Sequence, residues 1–216
     1  MATLRQPAQR SHVTMISTSP STTTLFETEQ LYARDLLADE VPALQAFFDA
    51  NPEYFLTING RVPGPDEAHT EFTDVPPAHF SYTRRWVAGI FDRSHQLVGV
   101  AGILSDLVAP GVWHIGLLIL ASHLHGRRVA GLLYAALEAW MQRSGATWIR
   151  LGVVAGNVKG ERFWQKQGFR EVRVREGVDT GGRINTIRVL VKPLALDDVP
   201  TYLAMVPRDQ PGSALS

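Results

Sequence analysis

A strand of buried type leads through a short turn into a long helix near the middle of the chain. Residues 112–120 form an apolar run of strand length, and apolar side chains then recur at helical spacing over residues 127–143. A helix N-terminus exposes unpaired N–H groups and carries the positive end of the helix dipole. Gly126 lets the backbone of the turn approach a ligand closely. The turn is therefore predicted to bind an anion such as a pyrophosphate, although it has neither a Walker A loop nor a Gly-x-Gly-x-x-Gly fingerprint.

The rest of the sequence predicts an α/β fold with a mixed sheet, because segments of strand period and of helix period alternate. Two Val- and Ile-rich runs flank a polar turn at residues 92–96 and predict a β-hairpin. Asp39 is expected to cap the first helix, and Gly145 is expected to end the long one. Strands are expected at 30–37, 86–91, 97–105, 112–120, 148–154, 170–175 and 183–191, and helices near 40–50, 53–58, 66–72, 127–143 and 159–167.

The chain has 216 residues and is expected to hold one domain with two tails. Residues 1–24, rich in Ser, Thr and Gln, are interpreted as a flexible N-terminal arm, residues 25–196 as the folded domain, and residues 197–216 as a C-terminal tail. The absence of cysteine excludes disulfide frameworks, thiolate metal sites and cysteine nucleophiles. Neither a membrane-length apolar run nor a secretory signal is visible, so a cytoplasmic location without membrane binding is expected.

The net charge is zero, but the two halves of the chain carry opposite charges. Residues 1–108 have 7 basic and 13 acidic side chains, whereas residues 109–216 have 14 basic and 8 acidic ones. A neutral chain lacks the basic footprint of nucleic-acid-binding proteins, so no nucleic-acid partner is expected. The split indicates two ligands of opposite charge, with ordinary solvated surface as the alternative interpretation.

Two motifs resemble those of a known family. The segment His125-Gly126-Arg127-Arg128-Val129-Ala130 is similar to the (Arg/Gln)-x-x-Gly-x-(Gly/Ala) acetyl-CoA loop of GNAT-type N-acetyltransferases. Residues 151–157 and 162–169, which end in Gln-Gly-Phe, are similar to the family's strand, Asn turn, helix and closing Phe-Tyr-x-x-x-Gly-Phe. The two motifs occur in the family's order and spacing. The resemblance is clear over residues 86–191 and looser over residues 30–85.

The resemblance implies a GNAT fold, in which a mixed, mostly antiparallel sheet has two central parallel strands splayed around acetyl-CoA and helices on both faces. It also implies that a primary amine attacks the thioester directly in a ternary complex, without a metal or an enzyme thiol. The acidic N-terminal half favours a small cationic molecule or a peptide amine as the acceptor. The residues that the resemblance places on acetyl-CoA are Leu118, Leu120, His125, Gly126, Arg127, Arg128, Val129, Ala130, Gly131, Asn157 and Trp164.

Three residues depart from the family's pattern. His125 stands where Arg or Gln is usual, and Arg128 stands where the family has its middle Gly, although its guanidinium can still contact phosphate. Trp164 stands where many members place a Tyr that is proposed to protonate the CoA thiolate, and an indole cannot supply that proton at neutral pH. Tyr134 on the long helix is a candidate substitute. The alternatives are that Tyr134 only packs in the core, that water acts instead, or that the thiolate leaves unassisted.

The general base is not determined by the sequence. His114 is expected on the same face of its strand as Gly116, Leu118 and Leu120, from which it could reach the acceptor amine. For each candidate, a purely structural role is the alternative. The candidate catalytic residues are therefore His114, Glu53 and Tyr134, and the candidate substrate-binding residues are Tyr54, Phe55 and His79.

Other functions remain open at this point. A non-catalytic acyl-CoA-binding sensor or interaction module on the same fold is the main alternative, and a nucleotide-binding protein of unrelated type is a second. His123 and His125 lack a third ligand nearby in the sequence, so no metal site is expected. A homodimer that forms through the last strands is common in such proteins and is left open.

Overall fold

One eight-stranded sheet runs through the part of the chain that the computed structural model describes, residues 23–126 and 128–213. The strands lie in the order β1-β2-β3-β4-β5-β6-β8-β7, in which β5 and β6 are parallel and the other neighbours are antiparallel. This arrangement confirms the predicted mixed, mostly antiparallel sheet. The strands are β1 (Phe26–Glu27), β2 (Leu31–Asp35), β3 (Arg84–Asp92), β4 (Leu97–Ser105), β5 (Val112–Leu120), β6 (Trp148–Val154), β7 (Arg170–Asp179) and β8 (Ile184–Pro193).

Helices cover both faces of the sheet. The helices are α1 (Val41–Ala50), α2 (Glu53–Ile58), α3 (Glu67–Thr73), α4 (Val129–Arg143), α5 (Val158–Lys166) and α6 (Val199–Met205). The first three connect β2 to β3 and lie on the face that carries Gly102, where the side chain of Glu71 on α3 meets β4. Helix α4 lies on the opposite face, where Trp140 packs edge-on against Trp113 with ring centroids 5.4 Å apart. Helix α6 returns to the first face and packs Tyr202 against Trp148.

Apolar side chains from the central strands and from α4 form the main core. Trp86 and Trp113 are stacked with ring centroids 5.1 Å apart, and Trp140 meets both of them edge-on. All three are buried, in agreement with the prediction that their spacing follows strand and helix faces. Burial of such large rings contributes a substantial part of the hydrophobic stabilisation. The part of this face that the three tryptophans cover is therefore filled.

The segment that the sequence analysis expects to be a C-terminal tail has a different structure. Residues 199–205 form helix α6, and a 3₁₀ turn follows at Pro207–Asp209. Tyr202 and Asp209 are both completely buried, and Asp209 forms an ion pair with Arg150 on β6. Because this ion pair joins positions 59 residues apart, periodicity along the chain could not predict it. Residues up to Asp209 therefore belong to the packed structure.

The N-terminal part also differs in detail from the prediction. Of the expected arm 1–24, residues 1–22 lie outside the described residues, and the short strand β1 follows at residues 26–27. A 3₁₀ turn over Ala38–Glu40 precedes α1, so that Glu40, rather than Asp39, occupies the N-cap. Glu40 accepts a bidentate hydrogen bond from Arg34, which ties the start of α1 to β2. None of the helices in the described residues has the length and apolarity needed to cross a membrane.

Candidate active site

The parallel strands β5 and β6 diverge after a short stretch of pairing. They pair from Val112 with Trp148 to Ile115 with Leu151, and no pairing joins them beyond that point. A β-bulge marks the divergence, since Gly102 on β4 pairs with Leu117 while Ile103 pairs with Ile115, which leaves Gly116 as the extra residue. A bulge bends its strand and increases the local twist. The result is a wedge-shaped gap between residues 116–120 of β5 and residues 152–154 of β6.

A cavity of about 760 Å³ opens at this gap. Volumes of this size are typical of small-molecule sites, and the gap places the backbone of β5 within reach of a ligand. The cavity connects three groups of side chains: the turn before α4, three carboxylates on and after α3, and two arginines on β6 and β7. The lining residues that carry these features are His125, Gly126, Ala130, Asn157, Trp164, Tyr54, Glu67, Glu71, Asp74, His114, Arg150 and Arg175.

The turn before α4 forms an open cradle at one end of the cavity. Gly126 has φ +75°, and a Cβ built at this position would meet no atom within 4 Å, so the backbone faces open space. The first helical residue is Val129, so the unpaired N–H groups of the helix start lie beside Gly126. His125 is held in place because its Nε2 lies 3.0 Å from the carbonyl oxygen of Leu120. This geometry fits the phosphate groups of a CoA molecule.

Arg128 has an unusual backbone conformation in the same turn. Its φ is +62°, a left-handed value that favours glycine, and it occupies the N-cap of α4. This is the position at which the family motif has its middle glycine, so the structure gives a physical reason for that preference. The exposed Arg128 side chain adds a positive charge beside the cradle. Arg127, the other predicted phosphate contact, lies outside the described residues.

The second motif forms the wall opposite the cradle. Asn157 is the N-cap of α5, and its Oδ1 accepts a hydrogen bond of 3.1 Å from the Gly160 N–H. The cap fixes the start of a helix whose Phe163 and Trp164 side chains line the cavity. Asn157 lines the cavity as well, so the same residue can stabilise the helix and contact a ligand. Trp164 is 9 % exposed and packs against Phe169 at 5.2 Å.

Three carboxylates that the sequence analysis did not select lie at the other end of the cavity. Glu67, Glu71 and Asp74 follow one face of α3 at helical spacing and all line the cavity. Burial raises the pKa of Glu71 to about 7, against the opposing effect of the nearby Arg85. The acidic stripe was visible in the sequence as Glu-x-x-x-Glu-x-x-Asp, but nothing in the sequence showed that this face meets the sheet.

Glu71 lies close to the bulge. Its Oε1 would be 3.0 Å from a Cβ built on Gly102, and the Leu117 nitrogen would be 3.6 Å from the same point. The absence of a side chain at Gly102 therefore leaves room for the carboxylate above the place where β5 begins to leave β6. Arg85 donates hydrogen bonds to the backbone carbonyls of Glu71 and Phe72 and so fixes the end of α3. Because the carboxylate itself is 3.8 Å from Arg85, it keeps acceptor capacity toward the cavity.

His114 and Arg150 lie side by side on β5 and β6, on the face that bears the cavity. Arg150 Nη1 is 3.5 Å from His114 Nδ1, and a guanidinium can only donate, so Nδ1 accepts and the proton of the neutral ring is on Nε2. Burial and then the positive charge of Arg150 lower the pKa of His114 to about 3. His114 is therefore neutral at pH 7 and presents an N–H donor near Gly116. This state suits a hydrogen-bond donor better than the general base that the sequence analysis considered.

Comparison with known proteins identifies the family. The model of the GNAT acetyltransferase family matches residues 43–169, more than half of the chain. The chain belongs to the GNAT acetyltransferase family. A comparison with curated protein sequences gave no significant match.

Solved structures confirm the fold of this GNAT chain. An acetyltransferase from Thermus thermophilus is 23 % identical with a TM-score of 0.59 and covers 76 % of this chain and 97 % of its own. A GCN5-related N-acetyltransferase from Brucella melitensis is 16 % identical with a TM-score of 0.64 and covers 81 % of this chain and 80 % of its own. The spermidine N-acetyltransferase from Vibrio cholerae, solved with CoA and spermine, is 16 % identical with a TM-score of 0.57 and covers 77 % and 96 % of the two chains.

The GNAT fold brings some of the predicted site residues together and leaves others outside the cavity. Those that line it are His114, Leu118, Leu120, His125, Gly126, Ala130, Asn157, Trp164, Tyr54 and Phe55. Val129 is buried, and neither Val129 nor Gly131 is among the lining residues. The carboxylate of Glu53 lies 3.0 Å from the Ser122 hydroxyl, next to the cradle rather than at the bulge. His79 is exposed and packs against Phe80 at 4.3 Å between ring centroids.

Tyr134 occupies the interface between α4 and α5 in this GNAT protein. Its ring packs against Trp164 at 5.5 Å, and the residue is 1 % exposed without lining the cavity. Burial raises the pKa of Tyr134, so its phenol stays protonated. The structure therefore places Tyr134 behind Trp164 and favours the packing role. Among the described residues, no group of three or more potential metal ligands was found.

Proposed function

We propose that this protein transfers an acetyl group from acetyl-CoA to a primary amine by direct attack in a ternary complex. The observation that carries the proposal is the position of the bulge at Gly116. It opens β5 from β6 beside a cavity that joins the cradle at Gly126 to the carboxylate of Glu71. Both reactants can therefore meet at one point, which removes much of the entropic barrier to the reaction. The acceptor that the three carboxylates favour is a small cationic molecule or a peptide amine.

The cofactor side of the proposal rests on the cradle and the wedge. The amides from residue 126 to the start of α4, together with Arg128, would hold the pyrophosphate. The backbone of β5 at Leu118 and Leu120 would pair with the pantetheine arm, since β6 has left this edge. Asn157 and Trp164 would contact the arm from the other wall. When bound, acetyl-CoA supplies an activated acyl group, and no enzyme nucleophile is needed.

We propose Glu71 as the group that deprotonates the acceptor. An ammonium ion bound at the carboxylates loses one proton to Glu71, and the free nitrogen lone pair attacks the thioester carbonyl. The new C–N bond forms, the C–S bond breaks, and the nitrogen releases its second proton to solvent as the amide forms. Trp164 cannot donate a proton, so the leaving thiolate takes its proton from solvent. The Nε2–H of His114 and the strand N–H groups beyond the bulge would stabilise the oxyanion. The catalytic roles of Glu53 and Tyr134 stay predictions, and replacement of each residue in an assay of thiol release would test them.

The first experiment measures free-thiol release from acetyl-CoA with a panel of amines. Spermidine, lysine, a peptide with a free N-terminus and glycine are suitable acceptors, with acetyl-CoA alone as the control for hydrolysis. Steady turnover with at least one amine is expected, together with binding of acetyl-CoA by isothermal titration. Binding of acetyl-CoA without turnover of any amine would contradict the proposal. It would support the second candidate, a non-catalytic acyl-CoA sensor, which is favoured by the presence of Trp164 in place of a proton-donating tyrosine. Absence of detectable acetyl-CoA binding near 1 mM would exclude both functions.

A further inference from the structure

A chain of hydrogen bonds leads from the C-terminal part of the fold to His114 at the cavity. It begins at Asp209, which lies in the 3₁₀ turn after α6 and is completely buried. The carboxylate of Asp209 accepts hydrogen bonds from Arg150, at 2.7 Å from Nε and at 2.9 Å from Nη2. The Tyr202 hydroxyl donates a third hydrogen bond of 2.6 Å. Both oxygens of Asp209 are therefore engaged, which holds the carboxylate in one orientation.

The ion pair with Asp209 fixes the plane of the Arg150 guanidinium. A bidentate contact uses two N–H groups on one edge of this planar group, so the direction of the remaining N–H groups is also set. The nitrogen outside the ion pair, Nη1, lies 3.5 Å from Nδ1 of His114. The side chain of Arg150 is 9 % exposed, so solvent has little access to these N–H groups. The orientation of Asp209 is thus passed on to the ring of His114.

The contact with Arg150 determines which nitrogen of His114 carries the proton. A guanidinium can only donate, so Nδ1 accepts and Nε2 carries the hydrogen of the neutral ring. A Cβ built on Gly116 would lie 3.9 Å from Nε2, which places this N–H beside the bulge where β5 leaves β6. In the proposed function, the thioester carbonyl of acetyl-CoA lies at the same place.

We propose that Asp209 and Arg150 are positioning residues, which hold His114 so that its Nε2–H stabilises the oxyanion formed on the thioester carbonyl. This inference rests on the proposed acetyltransferase function and adds to it a role for the segment that follows β8. A hydrogen-bond donor stabilises an oxyanion effectively only when it is oriented before the reaction. His114 contacts the reacting atoms, whereas Asp209 and Arg150 act through His114.

The ion pair also joins the turn after α6 to β6, so a loss of activity alone would not separate positioning from stability. A double-mutant cycle with His114 separates them. A residue that acts through His114 has no effect on kcat once His114 is absent, whereas a residue that only supports the fold keeps its effect.

Arg150→Lys is the primary variant because it keeps the positive charge beside Asp209. An ammonium group lacks the planar fork that contacts Asp209 and His114 together. We expect Arg150→Lys to lower kcat about tenfold, with KM for both substrates within about twofold, and His114→Ala to lower kcat by about 10²–10³-fold. Arg150→Lys should have no further effect on kcat in the His114→Ala background. Asp209→Asn, which keeps the shape of the side chain, should give the same pattern.

Glu40→Gln is the matched control for Asp209→Asn. Glu40 also receives two hydrogen bonds from one arginine, Arg34, at 2.8 and 2.7 Å, and it does not line the cavity. Its replacement should lower the free energy of unfolding in urea but leave kcat within about twofold.

NMR of the histidine ring nitrogens gives a readout that does not depend on turnover. With nitrogen-15-labelled histidine, the wild type should show His114 protonated at Nε2 and unprotonated at Nδ1. The His114→Ala variant identifies the His114 signals among those of the seven histidines. In Arg150→Lys and in Asp209→Asn, the ring should become a mixture of the two tautomers, because Nδ1 has lost its fixed donor.

Two results would overturn the inference and leave the acetyltransferase function intact. The first is an unchanged kcat or an unchanged His114 tautomer in Arg150→Lys or in folded Asp209→Asn. The second is a loss of kcat that is just as large in the His114→Ala background, since this would show a purely structural role. Absence of turnover by the wild type with every amine would remove the proposed function together with this inference.

Discussion

Arg128 shows how a single backbone angle connects sequence and site. A non-glycine residue at φ +62° costs of the order of 1 kcal/mol or more relative to a residue that adopts this conformation freely. We expect Arg128→Gly to raise the free energy of unfolding by about 0.5–1 kcal/mol, and Arg128→Ala to leave it nearly unchanged, because alanine keeps the Cβ. Urea denaturation of both variants measures the difference. Equal stability of the two variants would show that the turn is not strained.

The same pair of variants tests the phosphate contact. Both remove the guanidinium, so both should weaken acetyl-CoA binding by a similar factor while their stabilities differ. They should weaken binding of CoA more than that of pantetheine fragments that lack the pyrophosphate. Equal losses for both ligands would mean that Arg128 does not contact phosphate.

Glu71 gives a pH-dependent prediction. Burial raises its pKa to about 7, so the carboxyl is protonated at pH 6 and cannot accept the proton of the amine. The value of kcat/KM should therefore rise through pH 7 in the wild type and should lose this inflection in Glu71→Gln, with a fall of about 10²–10⁴-fold in the rate at pH 8. Glu67→Gln, one helical turn earlier, is the control and should keep the inflection. A wild-type profile that is preserved in Glu71→Gln would assign the base elsewhere.

His114 illustrates why a strand position alone does not reveal a role. His114 shares the face of Gly116, as predicted, but the bulge shifts the strand period and turns Leu118 and Leu120 to the opposite face, so that part of the prediction is wrong. The neighbour on β6 could not be predicted from strand period either. With its pKa lowered to about 3, His114 adds no inflection to the activity profile between pH 5 and 9. Its low pKa also means that the unfolded chain binds a proton that the native state does not, so its contribution to stability decreases as the pH falls below about 6.5.

At the scale of elements, local periodicity predicted the central strands well. Strands β4, β5 and β6 have the predicted bounds, 97–105, 112–120 and 148–154, since each is an apolar run between clear turn residues. The carboxylates on α3 and the packing of α6 could not be predicted in this way. Each depends on contacts between distant parts of the chain, such as Glu71 with Gly102 and Asp209 with Arg150. The sequence therefore predicted the lining residues near the cradle more fully than those around Glu71.

The element formed by α6 and its 3₁₀ turn carries a stability prediction. Asp209→Ala leaves the Arg150 guanidinium, which is 9 % exposed, without its counter-ion, so it should reduce the free energy of unfolding by about 3–5 kcal/mol. Tyr202→Phe removes one hydrogen bond to the same carboxylate and should cost only about 1 kcal/mol. Chemical denaturation of both variants gives the two values. If Asp209→Ala cost no more than Tyr202→Phe, the ion pair would not hold this element on the sheet.

At the scale of the whole molecule, the charge split of the sequence acquires a spatial meaning. The acidic first half supplies Glu67, Glu71 and Asp74 to one end of the cavity. The basic second half supplies the cradle, as expected, and also Arg150 and Arg175 at the far end of the same cavity. A neutral chain can thus contain strongly opposed local fields, and net charge alone conceals them.

Ligand binding should stabilise the fold. A ligand in the gap would contact both β5 and β6, which pair only from Val112 with Trp148 to Ile115 with Leu151. A ligand present at about 100 times its Kd adds about 2.7 kcal/mol to the free energy of unfolding. For a chain of this size we expect acetyl-CoA to raise the Tm by roughly 5–10 °C in a thermal melt. ATP at the same concentration is the control and should have little effect. A shift with ATP as large as that with acetyl-CoA would favour a general nucleotide-binding protein.

The arrangement of the tryptophans provides this protein with an intrinsic optical reporter. Trp86, Trp113 and Trp140 pack together in the core and Trp148 packs against Tyr202, all away from the cavity lining, whereas Trp164 lines the cavity wall. Quenching of emission when a ligand fills the wedge should therefore originate from Trp164. The other four indoles do not line the cavity and should give a constant background. Trp164, which stands where the family motif has a tyrosine, therefore gives the site a fluorophore.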